Sequence, residues 1–319
     1  MSDSAPVEID RHGVTVIICT SQRPGSTLRV LESLGAQDRP ADAVLVIDAS
    51  RDTRTGDAVK AWHARHSTSA LRYWRVEDAY RGLTRQRNFG LDRVTTDLVV
   101  FFDDDVVLAP NCLRELERVH REDPTAVRVG CFAGAAGTSP RALWRLRRRL
   151  RIVSNLDAGK YHRSGMSTPW EFDPGEQPVV EGDWLPGWGM MWKSAAARAA
   201  RFNEGFAGYS QGEDLDFSLR LRRQGRLLMC RRAGLRHLPD PSGRPSPFNH
   251  GYMEIYNRYQ IHRRGLSDRT KRDVMLFAYA WTVDTLLLGR HLFRPARARA
   301  VVPQIAGRLR AAHDLVRGR

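Results

Sequence analysis

LVVFFDDDVVLAP, running from Leu98 to Pro110, decides how the rest of the chain is read. Leu98 to Phe102 is an unbroken apolar run of strand length, the pattern of a strand buried on both faces of a parallel sheet. Asp103, Asp104 and Asp105 follow without a spacer. Three adjacent carboxylates repel one another, and a divalent cation that prefers oxygen ligands, such as magnesium, manganese or calcium, relieves the repulsion. In a polar loop the same triplet would read as a solvated acidic turn. Its position argues for the cation, because ligands of open α/β sheets bind in the crevice outside the carboxyl ends of the strands.

On the N-terminal side of this strand the pattern alternates. Val14–Cys19 (VTVIIC) reads as a first buried strand, and Ser26 can cap a helix whose Leu28, Leu31 and Leu34 recur at helical spacing. A second strand over Ala43–Ile47 ends at Asp48, a helix follows from about Thr53 to His66, and Leu71–Arg75 reads as a third strand. Strands alternating with helices predict a Rossmann-like, mostly parallel sheet flanked by helices. Between the third strand and the aspartate strand, Gly82 leads into a helix from about Thr84 that carries Arg85, Arg87 and Asn88 in its first turns. A helix N-terminus with arginines is a site for a diphosphate, although arginines also line solvated helix faces.

On the C-terminal side, Pro110 and Asn111 start a helix through about His120, and Val127–Ala133 returns as a strand. RALWRLRRRLR, Arg141–Arg151, is a basic amphipathic stretch that suits either lipid headgroups or a solvated helix with one packed face. Ser164–Pro178 reads as a mobile loop. Met190–Trp192 reads as a strand entering a helix near Ser194, and Gly187 and Gly189 allow close approach of backbone to a ligand. Trp184, Trp188 and Trp192 can wall a sugar site or fill a core. In GEDLDFSLRLRRQG, Glu213 and Asp214 stand in the first turn of a helix, where the helix dipole favours carboxylates and the Gly-rich approach YSQG leaves them accessible.

The chain of 319 residues carries a formal charge of +15, which implies anionic partners. From Gly251 to Arg319 there are 14 Lys+Arg and 5 Asp+Glu, so 14 − 5 places +9 of that excess in the C-terminal region. There HGYMEIYNRYQIHRRG reads as a helix, and Val274–Leu288 is an apolar run interrupted by Asp284, too short for a spanning helix and suited to a buried helix or one lying in a membrane interface. Cys19, Cys112, Cys131 and Cys230 show no CxxC spacing, so neither a zinc site nor a disulfide framework is indicated. The N-terminus, MSDSAPVEIDRHG, is polar and acidic, unlike a secretory signal. The expected organisation is a disordered leader over 1–12, a catalytic domain over 13–245 and a basic helical region over 246–319.

The ordered set FFDDDVVLAP after a RNFGL helix, GWGMMWKSA before an NEGF turn, and GEDLDFSLRLRRQG leading to a histidine resembles glycosyltransferase family 2, the inverting enzymes of GT-A fold, over about Val14 to His237. The resemblance implies a GT-A fold with a C-terminal helical extension, and a transfer from a nucleotide-sugar donor to a saccharide or lipid-linked acceptor in the synthesis of cell-surface polysaccharide or glycolipid. It assigns Thr20, Arg23, Asp48, Arg87, Asp103 and Asp104 to the donor. Asp105, with Asp103 and His237, would hold manganese or magnesium. Asp214, with Glu213 beside it, falls on the carboxylate that deprotonates the acceptor, and Trp184, Gly187 and Trp188 line the acceptor or sugar side. A cytoplasmic enzyme, peripheral on the inner face of the cell membrane through its basic C-terminal region, is the matching location. Two other classes share some of these features. A nucleotidyl or phosphoryl transferase would use the aspartates for two metals but has no need of the GEDLDF carboxylate, and no GxxxxGK[ST] motif is present. A basic nucleic-acid-binding protein should carry recognition motifs that the chain lacks, so no nucleic-acid partner is expected.

Overall fold

The computed structural model describes residues 10–66, 71–133, 141–173, 175–206, 209–240, 242 and 244–318. Residues 1–9 of the expected leader lie outside these, and residues 10–12 begin the first strand. The chain packs as two compact units, Met1–Ala136 with Gly175–Gly243 and Gly137–Pro174 with Arg244–Arg319.

The first unit opens with β1 (Asp10–Thr20), α1 (Pro24–Gly35), β2 (Ala43–Asp48), α2 (Arg54–His66) and β3 (Leu71–Arg75). It continues through α3 (Leu83–Leu91), β4 (Thr96–Asp103), β5 (Val106–Leu108), α4 (Cys112–Glu122) and β6 (Ala126–Ala133). The chain leaves for α5 (Arg141–Arg149) in the second unit and returns as β7 (Val179–Glu181), β8 (Gly189–Lys193), α6 (Ser194–Ala200), α7 (Glu213–Leu221) and β9 (Arg226–His237). Among the described residues the nine strands form one sheet in the order β3-β2-β1-β4-β8-β6-β9-β5, with β7 also on β9. Its first half is parallel, β1 lying between β2 and β4 and β2 pairing β3. β8 then runs antiparallel between β4 and β6, β9 is parallel to β6, and β5 and β7 are antiparallel to β9.

Register brings the chemistry together. Thr20 lies opposite Asp48 and Cys19 opposite Asp103, so the ends of β1, β2 and β4 coincide. Only Asp104 and Asp105 separate β4 from β5, and β5 sets Val106 opposite His237. The apolar run of β4 is buried throughout, with Val99, Val100 and Phe101 fully so, as a central strand requires. Ser26 is not the cap of α1. Pro24 occupies the first helical turn, where a missing N–H costs nothing, Arg23 takes the cap position, and the Ser26 hydroxyl donates to Asp240 Oδ2 at 2.8 Å.

The second unit joins α5 to α8 (Pro247–Gly265), α9 (Lys271–Gly289) and α10 (Pro295–Val316). Its core gathers Trp144, Ile152, Val153, Met166, Phe172 and Ala280. The segment expected to be a mobile loop is packed over 164–173: Ser164 and Thr168 are fully buried, and Met166, Trp170 and Phe172 point inward at alternate positions. Helices α8 and α10 meet at glycines, since a Cβ on Gly251 would collide with the Gln304 carbonyl and one on Gly307 with the Phe248 carbonyl. No helix among the described residues is long and apolar enough to cross a membrane.

Candidate active site

Asp103 ends β4, and Asp104 and Asp105 form the turn into β5. The triplet divides. Asp104, 4 % exposed, accepts from Thr20 Oγ1 at 2.7 Å and from Arg23 Nη1 at 2.9 Å. Burial pushes its carboxyl up to about 6 even though Arg23 and Thr20 pull it down. Asp105 Oδ1 lies 3.1 Å from His237 Nε2, and its Oδ2 accepts from the Asp240 backbone N–H at 3.1 Å. Burial opposes ionisation of Asp105, but these hydrogen bonds and the nearby His237 and Arg23 hold its carboxyl below the usual range.

Asp103 turns to a different partner, its Oδ1 accepting from Arg87 Nη2 at 3.0 Å. Arg87, from α3, is 2 % exposed, lies with its guanidinium carbon 5.2 Å from the centroid of the Phe202 ring, and donates through Nη1 to Glu213 Oε1 at 2.7 Å. One buried guanidinium thus separates the aspartate turn from the first turn of α7. Ligand atoms of Asp103, Asp105 and His237 all lie within 4.8 Å of one another. Ligands around a single ion bound at about 2.0–2.6 Å are at most about 5 Å apart, so two carboxylates and an imidazole at this spacing fit a divalent cation.

Helix α7 begins after Gly212, whose φ of 89° is left-handed and natural to glycine alone. Glu213 is buried against Arg87, and burial together with Asp214 beside it raises its carboxyl pKa while Arg87 opposes the rise. Asp214 is half-buried, and its Oδ2 accepts the Gly187 N–H at 2.9 Å. A Cβ on Gly187 would be tight, 3.1 Å from Glu213 Oε1 and 3.3 Å from Asp214 Cβ.

The aromatic residues separate by role. Trp188 lies with its ring 5.5 Å from that of His237 and donates Nε1 to the Cys131 carbonyl at 3.4 Å, so it backs the histidine. Trp184 is half-buried between β7 and β8. Trp192 is fully buried edge-on to Phe217 at 4.5 Å and belongs to the core. Asp48 is also fully buried; Oδ1 accepts the Ser50 N–H and Oδ2 the Tyr73 hydroxyl, each at 2.7 Å. It lies opposite Thr20 in the β1–β2 register.

Three residues of the site were not expected. Gln86 spans two strand ends, donating Nε2 to the carbonyls of Thr20 at 2.9 Å and Ile47 at 2.8 Å. Asp240 links Asp105, Ser26 and Ser242. Arg128 of β6, fully buried, donates to the Ser218 hydroxyl and, at 2.9 Å, to the Pro186 carbonyl, and its guanidinium carbon lies 4.6 Å from the centroid of the Trp192 ring. A lone arginine in the apolar strand AVRVGCFA was the available signal for it.

Residues 15–170 match the family model described as glycosyl transferase family 2. No curated protein sequence matches the chain significantly. Among solved structures, the mannosyltransferase PcManGT from Pyrobaculum calidifontis, in complex with GDP-Man and Mn2+, aligns with a TM-score of 0.59 at 18 % identity over 97 % of this chain and 91 % of that one. S. aureus TarS 1-349 in complex with UDP-GlcNAc aligns with a TM-score of 0.54 at 15 % identity over 96 % and 92 %. The same TarS fragment with UDP gives 0.56 at 13 % identity over 96 % and 92 %. At such identities the likeness is one of fold, a mixed sheet flanked by helices as in GT-A enzymes. The reaction class is therefore sugar transfer rather than nucleotidyl or phosphoryl transfer. The chain is thus similar to glycosyl transferase family 2 over residues 15–170 and is a glycosyltransferase of GT-A fold.

Proposed function

We propose that this enzyme is a metal-dependent inverting glycosyltransferase that moves a hexosyl group from a nucleotide-diphosphate donor to an acceptor hydroxyl. The observation that carries the reading is the Arg87 bridge, which holds Asp103 of the cation-binding set and Glu213, the neighbour of Asp214, on one guanidinium. Asp103, Asp105 and His237 would hold the cation, manganese or magnesium. When bound, it neutralises the diphosphate oxygens and so stabilises the departing nucleoside diphosphate. Asp214 takes the proton of the acceptor hydroxyl, and the Gly187 N–H fixes the direction of its carboxylate. The acceptor oxygen bonds to the anomeric carbon as the bond to the diphosphate oxygen breaks, and attack from the face opposite the leaving group inverts that carbon.

Glu213, neutralised by Arg87, is a positioning residue in this scheme and Asp214 the base. Thr20, Arg23, Arg87 and Asp104 shape the donor side, with Asp48 supporting the base and ribose end from below. Trp184, Gly187 and Trp188 shape the acceptor side. Solved relatives in fold bind GDP-Man with Mn2+ or UDP-GlcNAc, which supports a nucleotide-sugar donor. Synthesis of a cell-surface polysaccharide or glycolipid, in the cytoplasm and at the inner face of the membrane, is the role we propose on the family analogy. A thermal-shift series with UDP, GDP, TDP and CMP, each with and without manganese, tests the reading. One nucleoside diphosphate should stabilise the protein only with the metal, as binding to the folded state requires; metal-independent shifts or none would overturn it.

A further inference from the structure

Helix α9 carries apolar side chains on both its inward and its outward face. Its buried positions, Asp273, Phe277, Ala280 and Asp284, recur at helical spacing, and two of the four are carboxylates. Both are paired inside the second unit. Asp273 caps the helix reciprocally with Thr270 and accepts from Arg163 Nη1 at 2.8 Å, while Asp284 accepts from Arg147 and, at 3.2 Å, from Arg308 Nη1. The opposite face carries Met275 at 72 %, Tyr279 at 44 % and Leu286 at 73 % exposure, and the turn after it adds Phe293 at 89 %. On a helix of a water-soluble domain the apolar stripe faces inward. Here apolar side chains face out as well.

The charge around this stripe has one sign. Lys271 and Arg272 begin the helix, Arg290 and Arg294 follow it, and no exposed residue from Lys271 to Arg294 is acidic. The 19 residues of α9 extend about 28 Å, and the helix does not qualify as a membrane span. We propose that this face of α9, with Phe293, lies flat in the interfacial layer of an anionic lipid bilayer, its apolar side chains at the acyl boundary and the bracketing cations on lipid phosphates. Pairing of the face with a second copy would set like-charged rims against each other about a two-fold axis, a repulsion that a lipid surface replaces with attraction. The inference does not rest on the catalytic assignments.

The test uses the full chain with sucrose-loaded vesicles, one set of phosphatidylcholine alone and one containing a third phosphatidylglycerol. The parent should pellet with the anionic vesicles and release as salt shortens the screening length to below about 8 Å. The variant Met275→Glu/Leu286→Glu/Phe293→Glu should bind them at least tenfold more weakly, with its helical circular dichroism and its metal-dependent nucleotide binding unchanged. Should that variant unfold, Phe293→Ser, altered only in the exposed turn, carries the comparison, with at least a threefold loss expected. Equal pelleting by parent and variant, or none by the parent, overturns the proposal. So does a lipid-free parent that sediments as a dimer and becomes monomeric in the variant, because the face would then join two copies of the chain.

Discussion

Asp105 receives hydrogen bonds from two elements that follow it in the chain, through His237 Nε2 and the Asp240 N–H, and presents an anionic oxygen beside Asp103. Asp105→Asn should therefore abolish manganese-dependent binding of the nucleoside diphosphate, and calorimetry with unchanged metal-dependent affinity would remove it from the cation site. Asp214→Asn should keep donor binding and lower turnover by roughly 10²–10⁴, the usual contribution of a positioned base. Full transfer activity in that variant would leave Asp214 as a helix-capping residue and pass the base to Glu213. Arg128 works at one remove: through Ser218, whose hydroxyl donates to the Asp214 carbonyl at 2.6 Å, and through the Pro186 carbonyl, it fixes both ends of the contact between Gly187 and Asp214. Arg128→Met should lower kcat by on the order of 10- to 100-fold at unchanged donor affinity, with partial recovery in Arg128→Lys; a change in donor affinity alone would contradict it. The triplet stood out in the sequence because three adjacent carboxylates directly after an apolar run repel one another, and Asp103 and Asp105 do cluster with His237. Gln86, Arg128 and Asp240 did not stand out, because each acquires its role from partners dozens of residues away.

At the level of elements, the parallel half of the sheet could be read with boundaries within a few residues of those found, since β1, β2 and β4 hold apolar runs and β3 an aromatic pair, separated by loop and helix signals. The other half could not. β5 is three residues long and is separated from β4 only by Asp104 and Asp105, so the two strands read as one apolar run broken by carboxylates. β9, RLLMCRRAGLRH, carries five basic residues that hide the buried positions Leu227–Cys230, Ala233 and Leu235. Helix α4 adds a pH dependence that no sequence pattern shows. His120 is buried with Nε2 3.2 Å from the Met191 carbonyl, and burial lowers its pKa from 6.5 to about 4. A depressed imidazole pKa contributes stability that is present above about 6.5 and lost as pH falls toward about 4, to a limit of roughly 3 kcal/mol. The fall in Tm between pH 7 and pH 4.5 should shrink in His120→Gln, which can still donate to the Met191 carbonyl. An identical fall would assign the acid sensitivity to other groups.

At the scale of the whole molecule the chain is interleaved. It leaves the sheet unit after β6, contributes residues 137–174 to the second unit, returns for β7 to β9, and then supplies the C-terminal helices. A continuous boundary near 246, as composition suggested, is a division of charge; the packing of the second unit also draws on the earlier segment, which composition could not reveal because its inward residues are spaced among arginines and prolines. That arrangement has a consequence for how the molecule behaves when cut. A single protease nick at 244–246 would separate the polypeptide into two pieces on a denaturing gel. It would not free the C-terminal helices, because Arg163 holds Asp273, Arg147 holds Asp284, and Trp144, Met166 and Phe172 share a core with Ala280 across the break. The nicked protein should elute from a sizing column as one species and come apart only in denaturant. Its two chains would then be two subunits in all but origin, and co-expression of 1–245 with 246–319 should reconstitute the enzyme from separate genes.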